Sequence, residues 1–193
     1  MLIRATLATK SLKNLLVHLH TMNLLHDIAP GTADEMNVII EIPSGSQNKY
    51  EIDKETGLIA LDRVMHSAQT YPFDYGFVPQ TLWDDGDALD VVVLTTVPLA
   101  PGILVRVRPV AILPMIDSGE KDDKILAVPV GDPRFAEVND LADVNKHTLK
   151  ELAHFFMTYK QIQKKEVTVG DWGDRSTAET AFARGVDMYK KAR

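Results

Sequence analysis

The sequence predicts one compact, β-rich domain, a barrel or a sandwich, that is closed by helices near its C-terminus. Two observations predict this fold class. Short apolar runs rich in β-branched residues follow one another at close intervals from Met36 onward, which favours a barrel or sandwich over layered βαβ units. The hydrophobic period changes to helical spacing only in the last fifth of the chain.

The strands are predicted in chain order. Residues 38–42 form a β-branched run that ends at Pro43, and residues 49–53 alternate before a turn at Gly57. The run that follows the turn completes a β-hairpin. The later strands are separated by turn residues such as Pro98, Pro101 and Gly102. The remaining predicted strands are residues 58–65, 91–94, 103–112 and 125–130.

Two helices are predicted after the strands. The first spans residues 149–163, where apolar and aromatic residues recur on one face. The second is expected to open at Ser176, because Ser176 and Glu179 have the spacing of a capping box. The aromatic residues on both helices are interpreted as core packing. The apolar stripe of the second helix consists of Ala178, Ala181, Phe182 and Tyr189.

Composition excludes several classes of protein. At 193 residues the chain suits one sizeable core, and no apolar run approaches the roughly 20 residues of a membrane-spanning helix. The chain has no cysteine, which excludes disulfides, thiolate metal sites and a cysteine nucleophile. Its net charge of −6 argues against a nucleic-acid-binding protein. We therefore expect no nucleic-acid partner, no membrane association and a cytoplasmic location.

The first 26 residues differ from the rest, because they contain no Asp or Glu and carry Arg4, Lys10 and Lys13. The longest apolar run here is too short for a secretory signal. Three interpretations stay open: an organellar transit peptide, a loose extension that is retained, or a start site upstream of a true start at Met22. The sequence thus divides into a basic extension, 1–26, and one domain, 27–193.

An acidic cluster lies directly ahead of the apolar run at 91–94. Two unit charges about 4 Å apart repel by about 4 kcal/mol at an effective dielectric near 20, so converging carboxylates call for a cation. A solvated turn whose side chains point apart is the alternative. The cluster consists of Asp84, Asp85, Asp87 and Asp90.

A second acidic segment, residues 117–124, also lies between two apolar runs. If both segments face each other across a barrel mouth, they form a multi-metal site for hard cations, above all Mg²⁺. An EF-hand is disfavoured, because Leu89 and Asp90 occupy positions that need a ligand and a glycine. A phospho-aspartate phosphatase is disfavoured because the cluster precedes its strand.

Basic side chains adjoin acids or tyrosines in the sequence. Each is interpreted singly as a surface ion pair of little worth, yet together they could hold phosphate oxygens. The chain contains no phosphate-binding P-loop, no dinucleotide-binding turn and no His-Glu-x-x-His helix. The basic residues are Lys49, Arg63, Lys124 and Lys160.

The acidic cluster resembles the Asp-x-Asp-Pro-hydrophobic-Asp signature of soluble family I inorganic pyrophosphatases of the bacterial type. Here it reads Asp85-Gly86-Asp87-Ala88-Leu89-Asp90-Val91. The resemblance continues in the family's order and spacing from about residue 27 to the C-terminus. The further motifs are Ile40-Glu41-Ile42-Pro43, Lys49-Tyr50-Glu51, Asp62-Arg63, Tyr71-Pro72, Tyr75-Gly76, Lys124, Ala127-Val128-Pro129, His154-Phe155-Phe156 and Tyr159-Lys160.

The resemblance implies a five-stranded OB-like closed barrel with C-terminal helices. It also implies an enzyme that hydrolyses pyrophosphate to two phosphates with three to four Mg²⁺ ions, assembled as a homohexamer. In the implied site, Asp85, Asp90 and Asp122 hold the activating metal. Asp117 and Asp122 bind a substrate-borne metal, and Glu41, supported by Glu51, binds another. Asp87 accepts a proton from the attacking water. The phosphate ligands are Lys49, Arg63, Tyr75, Lys124, Tyr159 and Lys160.

Two positions depart from the family pattern: Ala88 replaces the usual proline, and Ser118 stands where many relatives have glutamate. Ala88 is expected to loosen the loop that carries Asp85 and Asp87. Two other functions are kept as alternatives. One is a module that binds metal or polyanion without turnover, and the other is a magnesium-dependent hydrolase of nucleotides.

Overall fold

The computed structural model describes residues 22–193. The predicted extension therefore lies outside the described residues except for residues 22–26. Strands dominate the first two thirds of the described chain. They are β1 (Met36–Ile42), β2 (Asn48–Ile52), β3 (Ile59–Val64), β4 (Asp74–Phe77), β5 (Asp90–Val93), β6 (Leu104–Leu113), β7 (Met115–Asp117), β8 (Glu120–Lys121), β9 (Lys124–Pro129), β10 (Val167–Val169) and β11 (Gly173–Asp174). The two α-helices are α1 (Lys146–Thr158) and α2 (Arg175–Ala192).

Five of these strands form a closed barrel in the order β1-β4-β5-β9-β6, because β6 also pairs with β1. All pairs are antiparallel except β5 and β9, which run parallel. The predicted five-stranded closed barrel with C-terminal helices is confirmed. No helix in the described part of the chain is long and apolar enough to cross a bilayer.

Both faces of the barrel sheet are buried, which explains its continuous apolar runs. Val92 packs in one cluster with Phe155 and Phe156 of α1. The side chains of its neighbours Val91 and Val93 point to the opposite face, because side chains alternate along a strand. They belong to a cluster that contains residues of α2. The side chains on both faces of these strands are thus buried, one set in a cluster that includes α1 residues and the other in a cluster that includes α2 residues.

Strands outside the barrel shape its mouth. β2 and β3 form the predicted hairpin, with Lys49 opposite Arg63. β7, β8 and β10 form a small three-stranded sheet. Five strands were not predicted from the sequence: β4, β7, β8, β10 and β11. Four of them have only two or three residues, and β4 contains Gly76 and Asp74, which are poor strand formers.

The helix boundaries differ from the predicted ones. α1 ends at Thr158, and residues Gln161–Gln163 form a separate 3-10 turn that ends at Lys164, whose φ is 56°. The predicted capping box at Ser176 is wrong. Asp174 is the N-cap of α2, and its side chain accepts a hydrogen bond from the Thr177 amide. Asp174 pairs with Ala111 in the sheet, so the helix begins where β11 stops.

Residues 22–26, which were predicted to belong to the extension, contact the barrel domain. Leu25 is buried against Ile39 and Phe77. The Gln80 amide donates a hydrogen bond to the Leu25 carbonyl oxygen at 2.9 Å.

Gly76 allows β1 and β4 to approach, since a Cβ there would lie 1.9 Å from the Ile39 carbonyl oxygen. We expect Gly76→Ala to lower the free energy of unfolding by about 3 kcal/mol or more, because backbone would have to move. Gly131 has no atom near its corresponding Cβ position and no positive φ, so Gly131→Ala should stay within about 0.5 kcal/mol of wild type. Urea titration of both variants measures the difference, and equal midpoints would contradict the proposed close approach.

The cap of α2 gives a second prediction. Asp174→Ala should lower the thermal midpoint by a few degrees, because it removes the acceptor for the Thr177 amide. Ser176→Ala is the matched control and should leave the midpoint unchanged, since Ser176 lies inside the helix. Thermal unfolding followed by circular dichroism compares the two, and a larger loss in Ser176→Ala would restore the capping box that the sequence suggested.

Candidate active site

A cavity of about 320 Å³ opens at the barrel mouth. One part of its lining comes from residues 84–89, the loop before β5, which we name the acidic loop. The other side chains come from β1, β2 and β4, from the β7–β8 turn and from the end of α1. Eight carboxylates and three lysines are among the lining residues. The carboxylates are Glu41, Glu51, Asp85, Asp87, Asp90, Asp117, Glu120 and Asp122, and the lysines are Lys49, Lys54 and Lys160.

The two acidic segments meet because of the strand pairing. β5 and β9 are parallel neighbours, with Asp90 opposite Lys124. The segments that precede these two strands therefore reach the same end of the barrel. Asp85 and Asp87 come from one segment, and Asp117 and Asp122 come from the other. The structure thus brings together residues thirty or more positions apart in the chain.

Asp85, Asp90 and Asp122 are neighbouring carboxylates in the cavity. Burial, together with the carboxylates of Asp122 and Asp90, raises the pKa of Asp85 to about 7. Burial also raises the pKa of Asp90, although Lys124 opposes the shift. Asp90 further accepts a hydrogen bond from the Tyr75 hydroxyl at 2.5 Å. Burial thus disfavours the ionised forms of Asp85 and Asp90, and a cation bound among the three carboxylates would stabilise those forms.

Lys124 lies beneath these carboxylates rather than at the surface. Its side chain is only 3% exposed, and its ammonium group donates to Asp90 at 2.5 Å and also to Asp122. Burial by itself would lower the pKa of Lys124, but the two carboxylates outweigh it and raise the pKa. The interpretation of Lys124 as a surface ion pair is therefore wrong, because β9 is a central barrel strand.

A second ion pair lies on the α1 side of the cavity. The Lys160 ammonium contacts Asp117, and the Tyr159 hydroxyl donates to the same carboxylate at 3.1 Å. Burial alone would raise the pKa of Asp117, but Lys160, Ser118 and Tyr159 together hold it below its ordinary value. Burial and Asp117 raise the pKa of Tyr159, so this phenol stays protonated and can donate.

The β1 and β2 side of the cavity carries Glu41, Lys49 and Glu51. Glu41 is 5% exposed and accepts a hydrogen bond from the Ile52 amide at 2.7 Å. Burial, with Asp90 nearby, raises the pKa of Glu41 to about 8. Lys49 contacts Glu51, and burial together with Arg63 lowers the pKa of Lys49.

Two of the predicted site residues do not line the cavity. Lys124 lies behind Asp90 and Asp122, as described above. Arg63 lies on β3 opposite Lys49 and contacts Asp62 at 2.5 Å. The other eleven predicted residues line the cavity.

Lys54 was missed. It reaches the cavity from the β2–β3 turn, where its ammonium contacts Asp87. No sequence signal marks it, because a lysine in a hairpin turn is ordinary.

The two departures from the family pattern also line the cavity. Ala88 packs against the cluster of Leu25, Ile39 and Phe77. The Ser118 hydroxyl donates a hydrogen bond to Asp117 at 2.9 Å.

The donor set suits a hard divalent cation. The lining contains carboxylates but neither histidine nor cysteine, and oxygen ligands are those that Mg²⁺ prefers. Within residues 22–193, no three acidic or histidine side chains already enclose an ion-sized space. Instead, Lys124 forms ion pairs with Asp90 and Asp122, and Lys160 forms one with Asp117. A bound cation would share these oxygens with the lysines.

Comparison with known proteins agrees with this geometry. The family model described as "Inorganic pyrophosphatase" matches residues 38–190. The chain is 48% identical over 155 residues to an inorganic pyrophosphatase of Nostoc, covering 80% of this chain and 92% of that one. It is 44% identical over 173 residues to an inorganic pyrophosphatase of Haloferax volcanii, covering 88% of this chain and 98% of that one.

Among solved structures, that of the inorganic pyrophosphatase from Thermus thermophilus superimposes with a TM-score of 0.84 at 42% identity. The superposition covers 88% of this chain and 99% of that one. A match of this extent in family model, sequence and fold confirms the resemblance that the motifs predicted: the chain belongs to the inorganic pyrophosphatase family.

Proposed function

We propose that this protein hydrolyses inorganic pyrophosphate to two phosphates with the help of bound Mg²⁺. The charge of the cavity is the observation that carries the proposal. Eight carboxylates face three lysines there, so a dense anion could not enter unless cations lay between it and the carboxylates. Divalent ions held by oxygen ligands meet this requirement.

The metal ligands proposed are those that converge from the two acidic segments. Asp85, Asp90 and Asp122 would hold the activating ion, which supplies charge neutralisation and makes water more acidic when bound. Asp117 and Asp122 would hold a substrate-borne ion. Glu41 would bind a further ion, with Glu51 supporting it. The raised pKa of Asp85 and Glu41 supports these roles, because a cation would stabilise their ionised forms.

Cationic and phenolic groups would orient the phosphates. Lys49 and Lys160 reach the cavity from different elements, Lys49 from β2 and Lys160 from the end of α1, so they could hold different phosphates of a short polyanion. Tyr75 and Tyr159 would donate hydrogen bonds to phosphate oxygens, since burial keeps both phenols protonated. Arg63 and Lys124 complete the proposed set from just outside the cavity lining.

Asp87 is the proposed proton acceptor. It lies in the exposed acidic loop, lines the cavity and contacts Lys54, so water can reach it. As the attacking water bonds to phosphorus, its proton would pass to the Asp87 carboxylate. The bond to the leaving phosphate would then break, and Lys49 and Lys160 would stabilise the released charge.

The finer features of the proposal derive from the family resemblance. They are three to four Mg²⁺ ions per site, a homohexamer and a cytoplasmic location, with residues 27–193 as the catalytic domain. The mass of the native assembly in solution, measured by light scattering, tests the hexamer.

The proton acceptor gives a third prediction. Asp87→Asn should lower kcat by about 10²- to 10⁴-fold, because the amide cannot take the proton. Asp84→Asn is the matched control from the same loop, since Asp84 pairs with Arg184 and does not line the cavity. Phosphate release measures turnover, and thermal unfolding confirms that both variants fold. Asp87→Asn with the turnover of Asp84→Asn would remove Asp87 from the mechanism.

Substrate preference gives a fourth prediction. Purified protein with excess Mg²⁺ should release phosphate from pyrophosphate far faster than from ATP or tripolyphosphate, and EDTA should abolish the release. Pyrophosphate binding without turnover would favour a binding module. Faster hydrolysis of ATP would favour a nucleotide hydrolase. Either result would overturn the proposal.

A further inference from the structure

A short segment at the start of the described chain closes one wall of the cavity. We name residues 23–28 the strap. The Asn23 side chain accepts a hydrogen bond from the Leu25 amide, and its carbonyl oxygen accepts one from the His26 amide. The Asn23 amide donates to the Asp27 carboxylate. These bonds give the strap a defined turn conformation of its own.

Distant parts of the chain hold the strap in place. The Gln80 amide donates to the Leu25 carbonyl oxygen at 2.9 Å, and the Gln80 side chain donates to the His26 carbonyl oxygen at 2.7 Å. Gln80 makes these bonds with a φ of 53°, a left-handed conformation that costs about 1 kcal/mol or more outside glycine. The His26 ring is hydrogen-bonded to the Tyr189 hydroxyl of α2 at 2.8 Å.

Through the strap, Leu25 becomes part of an apolar wall in an otherwise charged cavity. The wall consists of Leu25, Ile52, Phe77 and Ala88, which all line the cavity. Leu25 is 8% exposed and forms a cluster with Ile39 and Phe77, and Ile52 and Ala88 pack against this cluster. The wall therefore joins the strap, the barrel and the acidic loop.

Ala88 is the residue through which this wall reaches the acidic loop. It follows Asp87 directly, and Asp87 and Gly86 are exposed. On its other side, Leu89 is fully buried, and its amide donates to Thr81. At Ala88 the loop lacks the ring of the family's usual proline, so side-chain packing must supply the restraint there.

We propose that Leu25 is a positioning residue for the acidic loop. Through the cluster against which Ala88 packs, Leu25 fixes the placement of Asp85 and Asp87 in the cavity. The proposal rests on the proposed function for its kinetic consequence but not for its structural one. The catalytic unit therefore begins within the strap rather than at residue 27.

The test compares Leu25→Ala with two controls in the full chain. Met22→Ala changes an exposed residue just outside the strap. Leu99→Ala removes the same atoms from a partly buried leucine. Leu99 packs against the cluster that contains the α2 residues and does not line the cavity. This variant thus controls for lost stability alone. Hydrogen exchange of residues 84–90 followed by mass spectrometry reports the loop directly, without substrate or metal.

We expect Leu25→Ala to speed hydrogen exchange at residues 84–90 by about 10-fold. Without the leucine side chain, the loop can open locally and expose its amides to water while the rest of the domain stays folded. With pyrophosphate, kcat should fall by about 10- to 100-fold, since small misplacements of reacting groups have effects of this size. The Mg²⁺ concentration for half-maximal activity should rise. KM should change little, because Lys49 and Lys160 lie on other elements. Both controls should match wild type in all four measurements.

Leu25→Met keeps the side-chain volume, so its loop exchange and its turnover should match those of the wild type. This variant keeps the proposal testable if Leu25→Ala does not fold. Loop exchange in Leu25→Ala equal to that in Leu99→Ala would overturn the proposal while pyrophosphate hydrolysis by the wild type still stood. If loop exchange is fast in Leu25→Ala but the wild type does not hydrolyse pyrophosphate, the positioning role is supported and the proposed function is wrong.

Discussion

The buried ion pairs of Lys124 are the interaction on which the site depends. An ammonium group that is 3% exposed is stable only with opposite charges in contact, and Asp90 and Asp122 provide them. The same contact holds two carboxylates close together at the bottom of the cavity. Removing either partner would leave a buried charge uncompensated, which is far more costly than losing a surface pair. The barrel and its acidic centre are therefore stabilised together.

The barrel provides the rigid part of this arrangement. Asp90, Lys124 and Glu41 lie on its strands, whose side chains on both faces are buried in clusters that include residues of α1 and of α2. Burial on these strands raises the pKa of Glu41 and of Asp90 and so prepares them to receive positive charge. Side chains on packed strands are held more accurately than side chains on loops.

The acidic loop is the more exposed part of the site, although it carries Asp85 and Asp87. Its backbone is tied by the bond from the Trp83 amide to the Asp87 carbonyl oxygen and by the Asp87 amide to the Asp85 carboxylate. The apolar wall adds side-chain packing at Ala88. The site thus combines strand residues fixed by the core with loop residues fixed by local bonds and by the strap.

The β-rich class, six of the strands and both helices could be predicted from the sequence, because β-branched runs and helical spacing are local patterns. The family resemblance added eleven of the twenty residues that line the cavity. The barrel closure, the parallel pairing of β5 with β9, the burial of Lys124 and the cap at Asp174 became visible only in the tertiary structure. It alone brought Lys54 and Leu25 into the cavity. These features depend on contacts between residues far apart in the chain, which a local pattern does not encode.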